Sequence, residues 1–218
     1  MRFACLVMDH DDTTVSSTPC IHYPAFLEAM ATLRPQVEPA DMDGFFALSY
    51  HPGFFAYYRD VLKLTDEEMD REVKIWRSYV DKVIPPAFPG MKEIITDLRA
   101  AGGVVCVVSH SAKDIIRRDY AANFGFQPDG IYGLEDGFER MKPSPWPLDD
   151  ISRRFGVDFS EMVMVDDLKP GLEMARSRGV EFIAAGWAHS VPELAADMRK
   201  NADHCAESVA ELRKLLFK

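Results

Sequence analysis

The chain has 218 residues, 47% hydrophobic and 28% charged, enough for one large domain or a core with a modest insertion. A formal net charge of −10 excludes a basic nucleic-acid-binding stripe and opposes anionic membrane surfaces, so an anionic substrate must meet local cations or a bound metal. Four scattered cysteines without Cys/His ligand spacing, no apolar run of membrane-spanning length and an N-terminus unlike a signal peptide together point to a cytoplasmic protein without structural zinc.

Residues 3–8 form an apolar run that reads as a strand buried on both faces, and it ends in the crowded carboxylates Asp9, Asp11 and Asp12. Like charges this close need a cation such as Mg²⁺ or raised pKa values. Residues 17–85 carry apolar side chains at helical spacing, including Phe26, Leu27 and Met30, then Met69, Val73, Trp76 and Val80. With seven Lys/Arg against eleven Asp/Glu and prolines at its end, this stretch reads as a helical insertion. A helix is predicted over 91–101, stopped by Gly102-Gly103, and a β-branched strand over 104–108 ends at Ser109. Next come a helix over 112–122, a short strand at 130–132, Lys142 in a Met-Lys-Pro-Ser-Pro segment, and a helix over 145–155. A strand over 162–165 runs into Asp166-Asp167, followed by a helix over 171–178 and a strand over 180–184. Strands alternating with helices imply right-handed crossovers, hence an α/β fold with a Rossmann-like parallel sheet flanked by helices.

Three strands thus end in polar groups at one rim of the sheet, where ligands bind in such folds. Carboxylates from two strands can share a hard cation, while a serine hydroxyl and a lysine ammonium hold phosphoryl oxygens. That set suits phosphoryl transfer, which needs positioning and charge neutralisation above all.

The residues resemble the haloacid dehalogenase superfamily of phosphohydrolases and phosphotransferases over nearly the whole chain. The resemblance rests on Asp9-His10-Asp11-Asp12-Thr13 after an apolar strand, the strand ending at Ser109, Lys142-Pro143-Ser144-Pro145, and Val165-Asp166-Asp167 followed by Gly171. It implies a core domain of residues 1–16 and 86–218 and a helical cap of residues 17–85, in the phosphatase and β-phosphoglucomutase-like branch. It further implies Asp9 as nucleophile and Mg²⁺ ligand, and Asp11 as general acid and base with its carbonyl on the metal. Ser109 and Lys142 would hold the phosphoryl group, Asp167 aligns best with the direct metal ligand, and Asp166 would bind through water or act from behind the direct ligands. Asp11 sets the chain apart from the dehalogenases, which lack that second aspartate.

The expected activity is hydrolysis of a small phosphorylated metabolite through an aspartyl-phosphate. Sugar-phosphate mutase chemistry on the same residues, a Schiff-base hydrolase using Lys63, Lys74 or Lys82, and non-catalytic phosphate binding stay open. Simpler readings also exist: Ser109 as a helix N-cap, Lys142 as a surface lysine, Asp166-Asp167 as an acidic turn. Thr14, Ser16 and His110 depart from the family pattern; the first two are expected to stay clear of the chemistry, and His110 is a candidate phosphate contact. Within the insertion, His22 is placed to face the site, and the aromatics Phe45, Phe46, Phe54, Phe55, Tyr57 and Tyr58 are expected to form the insertion's own core.

Overall fold

A computed structural model describes residues 2–217. The first strand, β1 (Cys5–Met8), lies fully buried in the middle of a six-stranded parallel sheet. The others are β2 (Val104–Val108), β3 (Gly130–Tyr132), β4 (Met162–Asp166), β5 (Glu181–Ala185) and β6 (His204–Ala206), in the order β3-β2-β1-β4-β5-β6. The chain builds outward from β1 through β2 to β3, then returns to β4 on the other side of β1. This makes the β1/β4 junction the topological switch point, the place where the carboxyl ends of two adjacent strands leave a crevice.

Alternation along each strand feeds two cores. Leu6, Met8, Val105, Val107, Val163 and Val165 pack on one face against α5 (Met91–Ala100), α6 (Lys113–Phe124) and α10 (Val209–Leu216). Cys5, Val7, Cys106, Val108, Met162, Met164 and Phe182 pack on the other face against α7 (Trp146–Phe155), α8 (Lys169–Arg178) and α9 (Pro192–Asn201). The predicted strands and helices between residues 91 and 185 all form, with shifts of at most two residues at their ends. Strand β6 and helices α9 and α10 go beyond the sequence reading. A three-residue edge strand reading His-Cys-Ala carries no apolar run to announce it.

Between β1 and β2 the chain forms α1 (Tyr23–Leu33), α2 (Met42–Tyr50), α3 (Phe54–Ala56) running into a wide turn at Tyr57–Val61, and α4 (Asp66–Val80). Thr65 and Glu68 cap α4 reciprocally, satisfying amides at its first turn. These helices bury Phe26, Met30, Phe45, Tyr57, Tyr58 and Leu64 together, with Phe54 packed against them. Two aromatics depart from the expected insertion core. Phe46 packs instead on Val191 and Leu194 of the sheet domain, and Phe55 is half exposed, its ring 5.3 Å from Phe138. The two connections to the insertion are stitched together: Val15 bridges Ala87, Ser16 N donates to Pro86 O at 2.9 Å and Phe88 N to Thr14 O at 3.2 Å. Among the described residues no helix is long and apolar enough to cross a membrane.

Candidate active site

The register of β1 against β4 pairs Met8 with Val165, and Asp9 N donates to Val165 O at 2.9 Å, so Asp9 and Asp166 leave adjacent strands side by side. After Asp9 the chain turns tightly. The carbonyl of His10 accepts from Thr14 N and Val15 N at 3.0 and 3.1 Å, and Asp12 takes the left-handed conformation at φ 57° that asparagine and aspartate tolerate best. Asp12 then faces away from the rim and accepts from the amide of Thr18 at 3.1 Å and from its hydroxyl. Burial still pushes the Asp12 carboxyl up to about 6.

The C-terminal rim holds three buried carboxylates, Asp9, Asp166 and Asp167, each offering an oxygen within 4.8 Å of the others. Lys142 enters from the loop before α7 and bridges two of them, its Nζ donating to Asp9 Oδ1 at 2.7 Å and to Asp166 Oδ2 at 2.5 Å. Burial opposes the ammonium, but the charges of Asp166 and Asp9 outweigh it and raise its pKa. The other oxygen of Asp166 accepts from Leu168 N at 2.8 Å, so both its oxygens are taken. Asp167 receives one hydroxyl, from Thr13 at 3.2 Å. Burial, then the neighbouring carboxylates, push Asp167 well above the usual range, and burial with Asp9 nearby pushes Asp166 up to about 7 despite Lys142. One ammonium does not balance three buried carboxylates. An all-oxygen donor set of this charge and spacing suits a hard divalent cation.

Gly171 is required by this packing. A Cβ there would lie 2.2 Å from Asp166 Oδ2, so the first turn of α8 can approach the carboxylate only without a side chain.

Asp11 points to the other side of the loop. Its Oδ1 lies 2.9 Å from His22 Nε2, and its Oδ2 accepts from Ser111 Oγ at 2.5 Å and Ser109 Oγ at 3.5 Å. Trp76 Nε1 donates to His22 Nδ1 at 3.1 Å and so directs the other nitrogen at Asp11. Burial alone would raise the Asp11 carboxyl, but the charge and hydrogen bond of His22 bring it well below the usual carboxylate range. Burial lowers His22, and the facing carboxylates, Asp11 first, more than reverse this. With Nδ1 accepting from Trp76, His22 carries its ring proton on Nε2 and donates it to the ionised Asp11 carboxylate.

Asp9, Asp11, Ser109, Lys142, Asp166 and Asp167 thus converge on one rim. His110 is exposed, with Nε2 2.9 Å from Lys142 O, where it braces the lysine loop. Ser109 does not cap α6: its hydroxyl accepts from Ser111 N at 3.0 Å, and the residue before the helix is Ala112. Thr14, expected to be idle, donates from Oγ1 to Asp9 O at 2.6 Å, because the tight turn folds it back under the strand end. Ser111 and Thr13 were not singled out as site residues by sequence reasoning. The spacing of Ser111 two positions beyond a strand-ending serine was the available signal, whereas the reach of Thr13 to Asp167 is visible only in three dimensions.

A parallel sheet with buried carboxylates and a lysine at its switch point defines an α/β protein with a rim site of the phosphoryl-transfer kind. The pattern of the haloacid dehalogenase-like hydrolases matches residues 6–185, and the chain belongs to that family. Two curated relatives are a chloroplastic protein, SUPPRESSOR OF QUENCHING 1, of Arabidopsis thaliana and a phosphoglycolate phosphatase of Vibrio parahaemolyticus. The first is 29% identical over 51% of this chain and 11% of its own length, the second 27% over 59% and 56%. Solved structures share the fold over almost the whole chain. A protein of Haemophilus somnus described as a predicted phosphoglycolate phosphatase has a TM-score of 0.79 at 17% identity, covering 99% of both chains. CbbY of Rhodobacter sphaeroides, solved with phosphate, has a TM-score of 0.73 at 22% identity, covering 96% of both.

Proposed function

We propose that the protein is a Mg²⁺-dependent phosphatase of small phosphorylated metabolites, working through an aspartyl-phosphate on Asp9. The observation that carries this reading is the buried set of Asp9, Asp166 and Asp167 with Lys142 between two of them. The phosphoglycolate phosphatase among the relatives supports a small phosphorylated substrate. Residues 17–85 form the cap that shields the site, and the protein works in the cytoplasm. Asp9, Asp167 and the carbonyl of Asp11 would hold Mg²⁺, with Asp166 farther out because its oxygens are already engaged. When bound, the ion supplies positive charge for the phosphoryl oxygens.

The residues divide the chemistry between them. Lys142 holds one oxygen of Asp9, leaving the other to attack phosphorus as the bond to the leaving oxygen breaks. Asp11, protonated in the substrate complex, delivers its proton to that oxygen, and His22 orients its carboxyl along the 2.9 Å contact. Water then attacks the phosphorus of the acyl phosphate, its proton passes to Asp11, and free phosphate and Asp9 are restored. Ser109 and Lys142 steady the phosphoryl group throughout, and Ser111 holds the Asp11 carboxylate.

Purified protein incubated with Mg²⁺ and a panel of sugar, glycerol and acid phosphates should release inorganic phosphate, and Asp9→Asn should abolish the release. An isomeric sugar phosphate in place of free phosphate would assign a mutase instead. No turnover of any ester, by wild type and variant alike, would reject both.

A further inference from the structure

Between the two aspartates that face the rim, His10 points the opposite way, into the protein, and is fully buried. Its Nε2 lies 3.1 Å from Asp119 Oδ2, on the inner face of α6, and Asp119 is also fully buried. The other oxygen of Asp119 accepts from Arg118 at 2.8 Å (Nε) and 2.7 Å (Nη2). The same guanidinium donates to the carbonyls of Val80, the last residue of α4, and of Val83, the latter at 3.0 Å. One turn further along α6, Asn123 donates to Pro85 O at 3.1 Å and accepts from Ala87 N at 3.0 Å. The circuit closes through the backbone, because Ala87 bridges Val15 and Val15 N donates to the carbonyl of His10.

We propose that Asp119 is a positioning residue for the proposed reaction: through His10 it fixes the loop carrying Asp9 and Asp11, and through Arg118 it ties that loop to the returning connection of the helical insertion. Stability alone does not account for the arrangement. A buried ionic group of this kind is often no more stable than apolar residues of equal volume, but it demands one geometry. Here the geometry demanded is that of the residue between the nucleophile and the acid. Displacements on the order of 1 Å at such a site can cost about a hundredfold in rate.

The inference rests on the phosphatase reading for its kinetic consequence and on hydrogen exchange for its structural one, so the two can fail separately. The double variant His10→Leu with Asp119→Leu fills the space with apolar groups and should melt close to wild type. Its kcat should fall at least about tenfold with KM within about threefold, and Asp119→Asn, which keeps an acceptor for His10, should recover part of that loss relative to Asp119→Leu. In the double variant, amides of residues 10–15 and 80–87 should exchange faster together while the sheet stays protected. A double variant with wild-type kcat, or faster exchange in 10–15 with none in 80–87, overturns the proposal. If the wild type hydrolyses no phosphate ester, the phosphatase reading falls and the exchange pattern still decides the positioning role.

Discussion

Removing divalent cations should make the protein progressively less stable as the pH rises from 4.5 to 7.5, because the rim carboxylates hold protons that the unfolded chain releases earlier. In the folded protein burial raises Asp166 from 3.8 to about 7. Between those values the folded state binds more protons than the unfolded state, so stability declines with pH, and the full cost of about 4 kcal/mol is reached above pH 7. Asp12, raised to about 6, and Asp167, raised well above its ordinary value, act in the same direction over the same window. His10 and His22 are also raised; their stabilisation is present at low pH and is lost above about 6.5, adding to the decline at its upper end. Asp11 is lowered, and its contribution vanishes only below about pH 4, outside the window. For a chain of this size, 4 kcal/mol corresponds to about 8–16 °C in Tm. The assay is thermal melting in chelator across the pH range, for wild type and Asp166→Asn, with and without Mg²⁺. The amide cannot titrate, so the variant should show a shallower slope, and Mg²⁺ at a hundred times its Kd should return about 2.7 kcal/mol to the wild type at pH 7.5. A variant slope equal to that of wild type, or a flat wild-type curve, would refute the assignment of the decline to Asp166.

Gly171→Ala should drive its new methyl into Asp166, displace that carboxylate from Lys142, cost about 1–3 kcal/mol and weaken Mg²⁺ binding measured by calorimetry. His22→Leu leaves the burial of Asp11 unopposed and removes the hydrogen bond that orients its carboxyl; kcat at pH 7.5 should fall about tenfold or more and the alkaline limb of the pH profile should move to higher pH. A profile that superimposes on wild type would show that His22 does not act on Asp11. Leu6→Ala, in the fully buried centre of the sheet, should cost about 2–5 kcal/mol by chemical denaturation.

The rim was legible in the sequence wherever a strand announced itself by a β-branched or apolar run and ended in a polar residue. Asp9, Ser109 and Asp166 each follow such a run directly, and strand alternation with helices placed all three at one edge. His22, placed facing the site by its distance from Asp9, does meet Asp11. The residues that escaped this reading reach the site across the chain: Thr13 meets Asp167, and Asp119 meets His10 from beneath the loop. Phe46 and Phe55 mislead for a related reason: an aromatic run specifies burial but not which surface supplies it.

What the sequence by itself determined is five of the six strands, their parallel alternation with helices and the set of acidic and basic groups at the sheet's carboxyl edge. Those features depend on apolar periodicity and on the fixed handedness of the crossovers, both of which are local or nearly so. Only the tertiary structure decided the electrical state of the site: Lys142 between Asp9 and Asp166, the Asp11 carboxylate accepting from His22, and Asp167 with a single hydroxyl partner. Protonation depends on burial and on charges a few ångströms away, and the residues that supply them here are separated by up to 158 positions along the chain from Asp9 to Asp167.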